Sequence, residues 1–155
     1  MGKAQELADR FEQVNNEVIA AVESCPDDKW QDAASGEERQ VNVVAHHIAS
    51  SHGPIAGLVK AIAEGGELPA LTGDMIDAGN AEHAKTAAGV SKSQTIELLR
   101  SGGREAADSL RGLSDEQLAK TGSMPLFGDQ PWSAQDAIER VLIGHPQGHL
   151  GSIKG

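Results

Sequence analysis

The stretch Ile138-Glu139-Arg140-Val141-Leu142-Ile143-Gly144-His145-Pro146-Gln147-Gly148-His149-Leu150-Gly151-Ser152-Ile153 reads as a helix with two histidines set into it. Val141, Leu142, Leu150 and Ile153 extend one side of that helix toward a core. His145 and His149 stand four residues apart, which puts both rings on one face, one turn apart, with roughly 5–6 Å between Cβ atoms. Two imidazoles so placed can share one divalent ion at about 2.0–2.1 Å from each nitrogen. Histidines at this spacing also occur as ordinary core groups with one hydrogen bond each, so the reading turns on a third ligand.

The candidates for it are few. The chain has six histidines, and three of them cluster in Val41-Asn42-Val43-Val44-Ala45-His46-His47-Ile48-Ala49-Ser50-Ser51-His52. This stretch is a second amphipathic helix. The working site is therefore two ligands from one helix and a third from a distant one.

The composition points the same way. Aromatic residues make up 3% of the 155, with two Trp, two Phe and no Tyr. The core must be built from Leu, Ile, Val and Ala, which suits packed helices better than a β-sandwich. A chain of this length is expected to form one domain, residues 1–155. Its formal charge of −10 argues against nucleic acid, which wants a basic face, and against anionic membrane surfaces. Cys25 is the only cysteine, so neither a disulfide framework nor a cysteine-rich metal site is available. The N-terminal residues show no apolar signal region, and no apolar run approaches the ~20 residues of a spanning helix. A cytoplasmic protein is the expectation.

Taken in order, Leu7, Phe11, Val14, Val18 and Val22 predict a first helix over residues 3–24, stopped by Pro26. Trp30 is the apolar anchor of a polar connection centred on Ser35-Gly36-Glu37-Glu38. The second helix starts near Val41, is expected to kink or divide at Pro54, and closes at Gly65-Gly66. Thr72 or Asp74 caps a short helix that carries His83, which is read as a packing residue, with a place facing the site cavity as the alternative. Ser91 and Gln94 form a capping box for the next long helix, where Gly102-Gly103 marks close helix approach. Ser114 starts a short helical turn, Leu126 to Trp132 is a loop or hairpin-like excursion, and Ser133 with Asp136 caps the last helix. Four long helices, one shorter helix and brief connections make an all-α four-helix bundle with one extra short helix.

On Val41 to Ala49, on His145-Pro146-Gln147-Gly148-His149-Leu150 and on this helix layout, the chain resembles the DinB-like superfamily. That superfamily includes bacterial thiol-dependent S-transferases and mycothiol-dependent maleylpyruvate isomerases. The resemblance implies a divalent ion held by His145, His149 and one histidine of the second long helix. It favours His47, six residues after Val41 and followed by Ile48, with His46 as the alternative. Pro146, between the paired ligands, departs from an ideal helix and calls for an early or kinked turn. His52 lies outside the pattern, and is a candidate general base at the cavity mouth, a surface residue, or a hydrogen-bond donor behind a ligand.

The function implied is a metal-dependent enzyme, a thiol-dependent S-transferase or isomerase, with open water positions on a zinc, nickel, iron or manganese ion. Its cofactor would be a low-molecular-weight thiol, its substrate a small molecule, and its state a homodimer. Arg100, Arg104 and Arg140 are available to hold a cofactor carboxylate, although surface placement is their default. The other expectations are a non-catalytic, stress-related bundle that binds a metal or small ligand, and a structural module whose histidines are core.

Overall fold

The apolar stripe of the first helix, α1 (Lys3–Ser24), is buried along its length at Leu7, Phe11, Val14, Val18 and Val22. The computed structural model describes residues 2–154. Helix α2 (Val41–Ala63) ends as its glycines require. Gly65 has φ +70°, and the Gly65 and Gly66 amides donate to the carbonyls of Ile62 and Ala61 at 3.1 and 2.9 Å. That pair of bonds is a Schellman motif, in which glycine takes the left-handed position. Thr72 caps α3 (Gly73–Thr86). Capping boxes at Ser91, Ser114 and Ser133 start α4 (Lys92–Arg111), α5 (Asp115–Ala119) and α6 (Ala134–Ala137). Two-residue strands β1 (Thr121–Gly122) and β2 (Trp132–Ser133) pair antiparallel and close the excursion before α6.

Helix α6 runs on through a π-helical stretch, Ile138–Ile143, into α7 (Gly144–Lys154). In an α-helix the Pro146 ring would collide with the carbonyl four residues back. The wider π turns lie directly ahead of it and loosen that contact. The strain expected at Pro146 is thus taken up before the proline, and His145 and His149 both sit on regular α-helix.

The bundle consists of α1, α2, α4 and the run from α6 to α7. Helix α4 lies against α1 and α2, and the last run lies against the same two. The extra short helix is α3, none of whose residues is buried; the five-residue α5 is a further one. Pro54 does not divide α2. The helix continues through it to Ala63, because Pro54 is exposed and its missing donor is tolerated on a solvent face. Ser50 and Ser51 both donate to the His47 carbonyl one turn earlier, at 3.3 and 2.6 Å. Among the described residues no helix is long and apolar enough to cross a membrane.

Two hydrophobic clusters fill the interior. One gathers Leu7, Phe11, Ile62, Leu110, Phe127, Ile138 and Leu142; the other gathers Val18, Val22, Trp30, Ile48, Leu99, Leu150 and Ile153. Between them in sequence on each helix lies a polar pair. Asn15 Nδ2 donates to the Leu99 carbonyl at 2.9 Å, and Asn15 Oδ1 meets His52 Nε2 at 2.8 Å. His52 is 1% exposed and stands edge-on to Phe11. It is therefore neither a surface residue nor a base at a cavity mouth, since a long apolar helix face carries it into the core.

Burial pushes the His52 pKa down to about 4, against about 6.5 in the unfolded chain. The folded state then binds fewer protons than the unfolded one. His52 contributes full stability above pH 6.5 and loses it as pH falls toward 4, by on the order of 3 kcal/mol in all. Urea denaturation of the metal-free protein at pH 7.5 and pH 4.5 checks this. The wild type should lose about 2–3 kcal/mol more than His52→Gln across that interval. Equal losses would show that His52 is not the titrating group.

Candidate metal centre

Adjacent residues on a helix point about 100° apart, and the structure separates His46 and His47 accordingly. His47 faces α7, where its Nε2 lies 2.9 Å from His145 Nε2. His46 faces α3 and pairs its Nδ1 with His83 Nε2 at 2.8 Å, the two rings stacked. The ring centroids of His145 and His149 lie 4.7 Å apart, and those of His47 and His149 5.6 Å. One ligand atom from each of His47, His145 and His149 lies within 4.8 Å of the others, all three residues being half-buried. The site thus draws one histidine from α2 and two from α7, and it leaves His46 and His52 outside.

This donor set fits a divalent ion. Two nitrogens bound to one ion at about 2.0–2.1 Å, with roughly 90–109° between them, are about 2.9–3.4 Å apart. The facing Nε2 atoms of His47 and His145 match the lower end of that range. Ligand imidazoles must also be neutral. Burial, followed by the neighbouring His145, Arg39 and His149, pushes the His47 pKa down to about 3. Burial, followed by His149, brings His145 to about 4.

Glu37 completes the set from the polar connection ahead of α2. Its Oε2 accepts from His149 Nδ1 at 2.9 Å, and its Oε1 accepts from Arg39 Nη2 at 2.5 Å. Burial alone would raise the Glu37 pKa, but hydrogen bonds from His149, Arg39 and Ser152 outweigh it and hold the carboxyl below its usual range. An ionised carboxylate on Nδ1 fixes the His149 tautomer and leaves Nε2 free, which is the usual support of a metal-bound histidine. Nothing local marks Glu37 for this role, because its partner lies 112 residues away. His83 is likewise more than packing: it stacks on His46 and lies 5.7 Å from the His47 ring.

Other candidates lie elsewhere. Cys25 is buried among Val18, Val22, Trp30 and Val41, and burial raises its pKa, the reverse of an activated thiolate. A surface cavity of about 640 Å³ beside it is lined by Glu17, Lys29, Asp32 and Ser152 but by no histidine. Arg140 stacks on Trp132 at 4.8 Å, and Arg100 pairs with Glu23 at the surface.

Comparison with known proteins shows the family and the fold. The family model for the DinB superfamily matches residues 10–153. YfiT from Bacillus subtilis, described as "a probable metal-dependent hydrolase with an unusual four-helix bundle topology", shares the fold with a TM-score of 0.77. It is 22% identical over 99% of this chain and 86% of that one. A protein described as Sibling Lethal Factor Precursor, DfsB, follows at 0.73, with 16% identity over 99% of this chain and 94% of that one. An uncharacterised protein from Clostridium difficile 630 gives 0.72, with 14% identity over 99% and 95%. At such identities the likeness is one of fold. No curated relative matches the chain.

Proposed function

This chain belongs to the DinB superfamily, and from that premise we propose that it is a divalent-metal-dependent enzyme acting on a small molecule, its ion held by His47, His145 and His149. The convergence of three imidazoles from two helices carries the reading. An all-imidazole set suits zinc, nickel or iron better than manganese, which prefers oxygen ligands. When bound, such an ion supplies Lewis acidity at this point of the bundle. The chain's own groups prepare the place for it. Burial keeps His47 and His145 neutral, Glu37 aims His149, and Arg39 holds Glu37.

The reaction we propose is attack of the sulfur of a low-molecular-weight thiol on an electrophilic carbon of a small molecule, as in the S-transferases that the sequence resembles. A C–S bond forms, the thiol proton passes to solvent, and the leaving group (chloride in the probe below) departs with its bonding electrons. Cys25 is buried in the hydrophobic cluster and stands outside the histidine group, so the thiol comes from solution. Water is the second nucleophile to test, because YfiT, which shares the fold, is described as a probable metal-dependent hydrolase.

The test is to load the protein with zinc or nickel and follow consumption of 1-chloro-2,4-dinitrobenzene with and without a panel of small thiols, beside a chromogenic ester. Thiol-dependent turnover that is lost in His149→Ala is the expected result. Ester hydrolysis without thiol transfer would replace the thiol by water, and no turnover with either would leave a metal-binding bundle without catalysis.

A further inference from the structure

We propose that α3 is a gate beside the three-histidine centre, opening by local unfolding while the four long helices stay packed, with His83 as its latch on His46. The inference rests on the metal-dependent reading above and names how a small molecule reaches that site.

Little holds α3 in place. Its large apolar residues do not dock, since Met75 is 52% exposed and Ile76 38%. The residues it turns inward are Asn80, His83 and Ala84, each only half-buried, and none of its residues is fully buried. Gly79, near the midpoint, lowers the intrinsic helicity further. At 14 residues, a helix without tertiary support is marginal in water. A segment with so few buried apolar contacts opens at a free energy well below that of the whole domain. Its ends, in contrast, are pinned. Ahead of it Leu68 and Leu71 pack on the cluster that holds Ile62 and Phe127. Behind it Ala87 is buried, and Asn42 Nδ2 and Trp30 Nε1 donate to the Ala88 and Val90 carbonyls at 2.9 and 3.0 Å. Opening is thereby confined to α3 itself.

The latch stands against the centre. Among the described residues, α3 makes one side-chain hydrogen bond to another element, between His83 Nε2 and His46 Nδ1 at 2.8 Å. The same ring lies 5.7 Å from that of His47, so opening α3 uncovers this side of a ligand. His83 Nδ1 is buried without a partner while α3 is closed, a cost that hydration removes on opening. The surface cavities beside Cys25 and along the outer face of α1 are lined by no histidine. Helices α2 and α7, which carry the three histidines, are held by buried residues along their length. Of the helices beside the centre, α3 is the one free to move aside.

The experiment is hydrogen exchange by mass spectrometry on the full-length, metal-free protein, beside the rate at which diethyl pyrocarbonate modifies His47. Wild type, Gly79→Ala and His46→Ala are compared. Amides of α3 should exchange about a hundredfold or more faster than those of α1, α2 and α4. A Cβ at Gly79 meets nothing within 4 Å, so Gly79→Ala acts on helicity alone. It should slow α3 exchange and His47 modification together, by about fourfold. His46→Ala removes the latch and should speed α3 exchange by about two- to tenfold. The proposal is overturned by α3 amides that exchange no faster than the bundle, or by α3 exchange unchanged in His46→Ala. It is overturned equally by a Gly79→Ala protein whose His47 reacts as fast as in the wild type. Zinc loading should block the modification of His47. If it does not, the metal reading fails, and the metal-free rates still decide for or against the gate.

Discussion

Replacing His145 by alanine is expected to remove tight binding of a divalent ion while the helical fold persists. On the proposed reading the ring supplies one of three ligands, and its Nε2 is the one that faces His47 at 2.9 Å. Losing a group that only supports a ligand costs about 10–100-fold in metal affinity, so losing the ligand itself should exceed the upper figure. The packing loss is small, because His145 is half-buried and belongs to neither hydrophobic cluster. Thermal unfolding makes the effect visible. At an ion concentration 100 times the dissociation constant, binding adds about 2.7 kcal/mol to the native state, or a rise in Tm of roughly 5–10 °C for a chain this size. The wild type should show that rise and His145→Ala none, with equal far-UV circular dichroism. A variant that melts with the same ion-dependent shift would remove His145 from the ligand set.

The second large effect is at Gly103. A Cβ built there would stand 2.2 Å from Asn15 Nδ2 and 3.0 Å from Asn15 Cγ, so the amide must move. It cannot move freely, being buried and bonded both to the Leu99 carbonyl and to His52. Gly103→Ala should break both contacts and leave buried groups unpaired, at about 1–3 kcal/mol each. Against this stands about 1 kcal/mol gained from better helix propensity. A net destabilisation of about 2–4 kcal/mol is expected by urea unfolding. Gly102→Ala is the control with the opposite sign. Its Cβ would meet only the Ala49 carbonyl at 3.8 Å, an ordinary contact, so up to about 1 kcal/mol of stabilisation should appear. Equal effects at the two positions would contradict the close approach of α1 and α4 at Asn15.

Much of this architecture is legible in the chain because it rests on local chemistry. The 3–24 stripe, the stop at Pro26, the boxes at Ser91 and Ser133 and the glycines after α2 are each set by groups a few residues apart. Gly103 could be read as close approach, although its partner Asn15 could not. What escapes the sequence is long-range or compensated. The strain expected at Pro54 does not divide α2, and that expected at Pro146 is met by π turns upstream. His52 sits in the core because its face of α2 is buried, which a polar side chain hides from hydropathy. Of the site, the His145–His149 pair follows from helical spacing, and the choice between His46 and His47 came from resemblance. Glu37, Arg39 and His83 come together only through the fold, from the turn before α2 and from α3.

The most direct test of the three-histidine centre is metal stoichiometry by elemental analysis of the purified protein, after incubation with divalent ions and gel filtration. It should be made on the wild type, His47→Ala and His46→Ala. The account predicts one ion per chain in the wild type and in His46→Ala, and essentially none in His47→Ala. A wild type without metal, or a His47→Ala protein that keeps its full complement, would contradict it.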